Sequence, residues 1–219
     1  MRFLLLLPLT LLLITLSIGY SVALWKGLGT LLSEAKFFVY VGLGSVCYFA
    51  FLLVLRVFHR SVGFAHTFCH ELNHAVFNVL FLNRIRSFNA HAEEGGDVKF
   101  YGRANPLICL APYSVPLFAL IALSVKLFAL PSAYPVIEGF VGFFVLFHLH
   151  SFFKEARPYQ TDLQRYGVLF SYAVILFMNV VLISWVVIAA ALGFAAGWEF
   201  LKSGIFEIWD IWNKSRGAL

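Results

Sequence analysis

The residues whose types and spacing could do chemistry are His70-Glu71-Leu72-Asn73-His74. On a helix, residues four apart lie one above the other on the same face, so His70 and His74 can bind one zinc ion with Zn–N distances of about 2.0 to 2.1 Å. Glu71 then lies beside the ion, where a general base can take a proton from water without competing as a ligand. The pattern therefore predicts a hydrolytic site with Zn²⁺ as its cofactor.

The same pattern has a purely structural interpretation, in which His70 and His74 are core histidines and Glu71 pairs with one of them. In a helix surrounded by lipid, two histidines and a glutamate are costly to bury and mark a functional site, which favours the metal interpretation. His66 extends the stripe of histidines. A rise of 1.5 Å per residue separates His66 from His74 by about 12 Å, so one ion cannot contact both.

A zinc site with two helical histidines needs a third protein ligand from elsewhere in the chain. His148 and His150 are two residues apart, so on a helix at most one of them faces the site. Asp162 lies on the side of the membrane where the motif helix ends, and Thr161 to Gln164 also fits a capping box that would explain Asp162 structurally. The candidates that stay open are His91, Glu138, His148, His150, Glu155 and Asp162.

The elements that must position these residues are membrane helices. The chain has 219 residues, of which 61% are apolar and only 12% are charged. A helix that crosses a bilayer needs about 20 apolar residues. The sequence thus predicts an all-α polytopic membrane protein with about six transmembrane helices, over residues 3 to 25, 37 to 58, 61 to 83, 104 to 130, 135 to 153 and 166 to 197.

The first segment has a basic start and a small-residue stretch, Ser21-Val22-Ala23, that resembles a signal-peptidase site. Its apolar run is long for a signal peptide, so we expect it to be retained as a helix. The three cysteines lie within apolar segments and are odd in number, so they imply no disulfide framework.

Two stretches are predicted not to cross the membrane. Residues 85 to 102 alternate in polarity on either side of Glu93-Glu94-Gly95-Gly96-Asp97, which predicts a short β-hairpin after the third helix. From Trp198 onwards, one polar stripe faces a surface rich in tryptophan. This pattern predicts a C-terminal amphipathic helix that lies in the membrane interface.

The distribution of Lys and Arg sets the expected orientation. Six crossings put both termini on one side, and the loop from 84 to 103 lies on the side with more basic residues. The positive-inside rule then makes this loop cytoplasmic and the termini non-cytoplasmic, in a multi-pass protein of a bacterial plasma (inner) membrane. The net charge is +5, but the basic residues form no stripe interleaved with aromatic residues. The expected partner is therefore the lipid bilayer and not nucleic acid.

The HELNH motif in a membrane helix, the Gly-Gly hairpin that follows it and an aspartate two segments later resemble the site-2 protease family of intramembrane zinc metalloproteases. The resemblance implies that His70, His74 and Asp162 bind zinc and that Glu71 activates water. It also implies that the hairpin helps to present an unwound substrate segment. Residues then expected to contact the substrate are Gly95, Gly96, Val98, Asn105 and Asn179, although hydrogen bonds between helices explain the two asparagines equally well.

The resemblance spans roughly residues 61 to 185. It divides the single membrane domain of 1–219 into two accessory transmembrane helices (1–60), a metalloprotease-like core (61–197) and the amphipathic tail (198–219).

The expected function is hydrolysis of peptide bonds in membrane-spanning proteins or signal remnants. Two alternatives remain open. One is a membrane di-iron or haem oxidoreductase, because His66, His70, His74, His148 and His150 could supply imidazole ligands to two metals. The other is a non-catalytic scaffold that keeps a degenerate metal site.

Overall fold

A computed structural model describes residues 2–58, 62–91 and 95–217. These residues are helical, apart from one two-stranded antiparallel sheet and short connections. The elements are α1 (Arg2–Leu32), α2 (Ala35–Val57), α3 (Gly63–Leu80), β1 (Arg84–His91), β2 (Gly95–Tyr101), α4 (Pro106–Ser114), α5 (Leu117–Lys126), a 3₁₀ turn (Pro131–Ala133), α6 (Tyr134–Glu155), α7 (Thr161–Tyr166), α8 (Val168–Leu192) and α9 (Phe194–Gly217).

Within the described residues, four helices are long and apolar enough to cross a membrane: Leu6–Leu32, Ala35–Val57, Pro131–Glu155 and Val168–Leu192. The pair α4 and α5 makes a fifth if the two helices are counted as one bent span. The multi-pass, all-α membrane class predicted from composition is therefore supported. The count differs from the predicted six, because α3 is not among these apolar helices.

Two predicted segments are interrupted by residues that break helices. The stretch 104 to 130 bends by 77° between α4 and α5, where Pro116 follows an extended Val115. A proline disfavours the helical conformation of the residue before it, so the helix ends there. The stretch 166 to 197 is divided at Gly167 and Gly193, whose φ angles of 90° and 92° are open to glycine but strained for other residues.

The direction of the helices also differs from six alternating crossings. Leu6 and Leu13 of α1 pack against a cluster that contains Phe170 near the start of α8. Ala23 and Leu31, later in α1, share a cluster with residues from the second half of α8. Helices α1 and α8 therefore run parallel, whereas six crossings would make them antiparallel.

Helices α2 and α6 also run parallel. Phe37 near the start of α2 belongs to the cluster of Val141, and Tyr48 further along contacts Phe147 and His150. Because α5 runs antiparallel to α6, with Phe118 against Phe147, the chain leaves α2 and enters α4 at the same end of the bundle. Between them, α3 and the hairpin form a unit that starts and finishes at that end, which we call the hairpin end.

The described residues include a two-stranded antiparallel hairpin, as predicted, and it lies against α3, the helix that carries the motif. Residues of β1 and β2 pair from Arg84↔Tyr101 to His91↔Gly95, with an irregularity between Ile85 and Ser87. Phe88 packs its ring on Phe68 of α3. The predicted turn residues Glu93 and Glu94 lie outside the described residues.

The C-terminal helix begins four residues before the predicted Trp198 and packs on α1. Tyr20 donates a hydrogen bond to the carbonyl of Leu201, and Lys26 pairs with Glu207 at 2.6 Å. The close approach of the two helices requires glycine at Gly19 and Gly204, where a Cβ would strike the neighbouring helix. One side of the tail is thus occupied by packing within the protein.

Candidate metal centre

Four elements at the hairpin end assemble the site. Helix α3 supplies His70, Glu71 and His74, and the short helix α7 supplies Asp162. Tyr113 of α4 and Glu155 of α6 both contact His70. The motif thus lies where several chain segments meet and not in the middle of a single lipid-facing helix.

Three ligand-type atoms converge on one point. The Oδ2 atom of Asp162 lies 3.3 Å from Nε2 of His74 and 3.7 Å from Nε2 of His70. Two ligand atoms about 2.0 to 2.1 Å from a tetrahedral zinc ion are about 3.3 to 3.4 Å apart. The first distance matches this separation and the second is somewhat longer. His70, His74 and Asp162 are the group of three that could hold a metal within the described residues.

Each histidine is held through its other ring nitrogen. Nδ1 of His74 lies 2.9 Å from the carbonyl oxygen of Ile108, and Nδ1 of His70 lies 3.0 Å from Oε2 of Glu155. A carbonyl oxygen and a carboxylate can only accept a hydrogen bond, so a neutral imidazole there carries its proton on Nδ1. Both Nε2 atoms are then free to bind a metal.

Asp162 is charged in this environment. Burial alone raises the pKa of its carboxyl, but hydrogen bonds donated by the Nε2–H groups of His70 and His74 in their protonated form outweigh burial and hold that pKa well below its ordinary value. A metal bound at both Nε2 atoms would take the place of these protons. Tyr113 adds a long hydrogen bond of 3.4 Å to Oδ2. The capping box predicted for Thr161 to Gln164 is not formed, because α7 starts at Thr161 after Gln160, which makes no side-chain cap.

The other candidates for the third ligand have different partners. Glu138 pairs with Lys126 at 2.6 Å, and His148 lies 2.8 Å from Oδ1 of Asn179. His150 contacts the hydroxyl of Tyr48 through Nδ1, so His148 and His150 face opposite sides as their spacing predicted. His91 ends β1 as an exposed residue.

His66 is separate from the metal group, as its distance along the helix predicted. Its ring is 1% exposed and stands against Phe147 and His150, with centroids 5.0 and 4.8 Å away. Neither ring nitrogen has a hydrogen-bond partner. His66 therefore neighbours His150, but it belongs to no group of three residues that could hold a metal within the described part of the chain.

A cavity of about 530 Å³ opens beside the three ligands. Glu71 lines it and is only 6% exposed. The hairpin forms the opposite wall through Gly95, Gly96 and Val98, three of the residues expected to contact substrate. Gly96 is needed for this closeness, since a Cβ there would lie 2.5 Å from Cγ of Glu71.

The two asparagines expected to contact substrate are engaged elsewhere. Asn105 caps α4 by accepting a hydrogen bond from the amide of Ile108 at 2.9 Å. Asn179 donates to the carbonyl of Tyr113 at 2.8 Å, so it joins α8 to α4. Neither asparagine lines the cavity. Both side chains make hydrogen bonds within the helix bundle, which is the structural role that the sequence left open for them.

Sequence reasoning missed Tyr113 and the partner role of Glu155. Tyr113 lies under the ring of His70, with centroids 5.1 Å apart. Nothing in its local sequence marks it, because the neighbouring residues are those of an ordinary apolar helix. Glu155 could have been noticed as a carboxylate at the end of an apolar segment, but its partner is visible only in three dimensions.

Comparison with protein families, curated proteins and solved structures gives no match to this chain. The resemblance to site-2 proteases therefore stays a prediction from the sequence motifs.

Proposed function

We propose that this protein is an intramembrane zinc metalloprotease that hydrolyses peptide bonds of membrane-spanning substrates. The observation that carries the proposal is the convergence of His70, His74 and Asp162 next to Glu71, at the wall of a cavity large enough for a peptide segment. Two imidazoles and a carboxylate are the ligand set of many hydrolytic zinc sites, which leave one position for water or substrate.

The proposed reaction divides the work between the metal and the chain. A zinc ion held by these three side chains would supply an acidified water molecule and a Lewis acid for the scissile carbonyl. The carboxylate of Glu71 accepts a proton from the attacking water and delivers it to the leaving amide nitrogen as the C–N bond breaks. The second proton of the water also passes to this nitrogen, so the products are a carboxylate and an ammonium group, and Glu71 returns to its starting state.

The substrate would bind in extended form. A helical substrate hides its peptide bonds, so a segment must unwind before attack. Strand β2 lines the cavity and has a single strand partner, β1, within the described part of the chain. An unwound segment can add to its outer edge by main-chain hydrogen bonds, which are independent of sequence.

The oxidoreductase alternative has less support. It needs a second metal bound by His66, His148 and His150, yet His148 is turned to Asn179, and the group that could hold a metal within the described residues is His70, His74 and Asp162. The scaffold alternative is tested by activity alone, since it predicts metal without cleavage.

We further propose that the hairpin end faces the cytoplasm, together with the start of α1. The parallel directions of α1 with α8 and of α2 with α6 bring the N-terminus to the hairpin end. This replaces our expectation of a non-cytoplasmic N-terminus. The hairpin end then carries Arg2, Arg56, Arg84, Arg86, Lys99, Arg103, Lys154, Arg157 and Arg165. The other end carries Lys26, Lys36 and Lys126, together with Lys202, Lys214 and Arg216 of α9, which packs on the second half of α1. This majority of basic residues favours a cytoplasmic hairpin end by the positive-inside rule.

The test is cleavage of a panel of membrane-spanning substrates and signal remnants by the full chain in lipid vesicles. Wild type should cleave at least one of them, and Glu71→Gln should lose about 10²-fold or more of the rate while keeping its zinc. Unchanged cleavage by Glu71→Gln would refute the assigned base. Zinc bound without cleavage of any substrate supports the scaffold, and iron in place of zinc supports the oxidoreductase.

A further inference from the structure

Glu155, the last residue of α6, contacts His70 on the face of the ring away from the proposed ion. Its Oε2 atom lies 3.0 Å from Nδ1, and its side chain is 20% exposed. A metal bound at Nε2 lies on the other side of the imidazole, so Glu155 is well outside the distance of about 2 Å needed for a Zn–O bond. Glu155 therefore acts on the site through His70.

We propose that Glu155 is a positioning residue that fixes the tautomer and orientation of His70 and thereby sets the affinity of the metal site. The inference rests on the proposed function, because it concerns the same three ligands. A carboxylate that accepts the Nδ1 proton of a ligating histidine locks the ring and makes Nε2 a stronger donor. Such outer partners typically contribute about 10 to 100-fold in metal affinity.

The three ligands differ in how they are held, and this difference singles out Glu155. His74 is held by a backbone carbonyl, that of Ile108, which no side-chain substitution removes. Apart from its contacts with the two histidines, Asp162 receives a long hydrogen bond from Tyr113. His70 alone depends on a charged side chain from another helix, so its geometry is the most sensitive to one substitution.

The contact also links the site to the helix bundle. Helix α6 packs closely on α2, where the backbones of Gly44 and Gly139 touch, and it carries the buried Glu138 towards its other end. His70 belongs to α3, which is outside the group of apolar spanning helices. Glu155 thereby fixes the position of His70, a proposed zinc ligand, relative to a helix that is firmly packed in the bundle.

The experiment measures zinc affinity and the tautomer of His70 in the purified full chain. Zn²⁺ is titrated against a competing chelator for wild type, Glu155→Ala and Glu155→Gln, with the exposed Glu199→Gln as control. Glu155→Ala should weaken binding by about 10 to 100-fold, and Glu155→Gln by less, because an amide oxygen still accepts the Nδ1 proton. Glu199→Gln should match wild type.

Nitrogen-15 shifts of labelled histidine in the metal-free chain, recorded at a pH high enough for His70 to be neutral, give a readout that a merely structural role would not move. Wild type and Glu155→Gln should show His70 protonated on Nδ1, and Glu155→Ala should show a mixture of tautomers. Wild-type affinity and an unchanged tautomer in Glu155→Ala would overturn the role of Glu155 and leave the proposed function standing. A wild-type chain that binds no zinc would overturn both.

Discussion

Asp162 is 88 positions away from His74 in the sequence, yet its Oδ2 atom lies 3.3 Å from Nε2 of His74 and 3.7 Å from Nε2 of His70. Two distant parts of the chain thus supply one set of candidate ligands. The carboxylate of Asp162 is the only anionic member of the set. Loss of a ligand should therefore cost more metal affinity than loss of an outer partner.

We expect Asp162→Ala to weaken zinc binding by more than about 100-fold, the upper end of the effect of removing an outer partner. The measurement is zinc content after dialysis, together with competition against a chelator. Asp210→Ala is the matched control, because Asp210 is an exposed aspartate on α9 that pairs only with Lys214 in the contacts seen. Equal zinc in the two variants would show that Asp162 is not a ligand.

Gly96 controls how closely the hairpin approaches the proposed base. A methyl group at this position would lie 2.5 Å from Cγ of Glu71 and 2.7 Å from the carbonyl of Asn89. We expect Gly96→Ala to displace Glu71 or the hairpin and to lower the cleavage rate by about 10-fold or more, since a shift of about 1 Å at a reacting group can cost 10²-fold.

The Gly96→Ala variant should keep its zinc, because the ligands come from α3 and α7. Gly42→Ala is the control, since a Cβ there meets no atom within 4 Å. A Gly96→Ala protein that cleaves at the wild-type rate would show that the hairpin does not need this close contact with Glu71.

At the scale of elements, the sequence predicted what depends on local rules. The hairpin was predictable because glycines and alternating polarity lie within a few residues of one another. The helix breaks at Pro116, Gly167 and Gly193 follow equally local rules. They were not predicted, because the spans were assigned from the length of apolar stretches alone. Residue types and spacing alone left Asp162 as one of six candidates, and only the resemblance to a known family singled it out, because the choice depends on how α7 packs beside α3.

Helices α5 and α6 are held together by a buried ion pair far from the metal site. Lys126 and Glu138 lie 2.6 Å apart with side chains 12% and 11% exposed, and Lys126 also stands 4.5 Å from the ring of Tyr134. Glu138 was a candidate zinc ligand in the sequence. The structure gives it this partner instead.

We expect Lys126→Met to lower the free energy of unfolding by about 3 to 5 kcal/mol, because it leaves a buried carboxylate without its partner. The double variant Lys126→Met/Glu138→Leu should recover most of the loss. Unfolding in detergent micelles measures both, with Lys202→Met as a surface control expected to cost about 0 to 1 kcal/mol. A single variant no less stable than this control would argue that the pair does not stabilise the bundle.

For the whole molecule, the arrangement of helices decides which side of the membrane the site faces. Six crossings place the N-terminus and the hairpin on opposite sides. The parallel packing of α1 with α8 places them on the same side, since α3 and the hairpin begin and finish at one end of the bundle. Sequence alone could not reveal this, because it depends on whether the polar helix α3 crosses the membrane.

We expect an N-terminal tag and a cysteine at His91→Cys to be accessible from the cytoplasmic side, and a cysteine at Phe128→Cys from the other. Phe128 is 90% exposed just after α5, and His91 is exposed at the end of β1. A membrane-impermeant maleimide applied to intact cells and to inverted vesicles measures this, after Cys47, Cys69 and Cys109 are replaced by alanine. A tag and a hairpin on opposite sides would restore the six-crossing arrangement.

The most direct test of the central claim is hydrolysis in water enriched in oxygen-18. Zinc-loaded protein in vesicles should convert a membrane-spanning substrate into a fragment whose new carboxyl group carries one oxygen-18 atom from solvent. Glu71→Gln, with zinc still bound by His70, His74 and Asp162, should form almost none of this fragment. Equal labelled product from both proteins, or none from a zinc-loaded wild type across the substrate panel, would contradict the account.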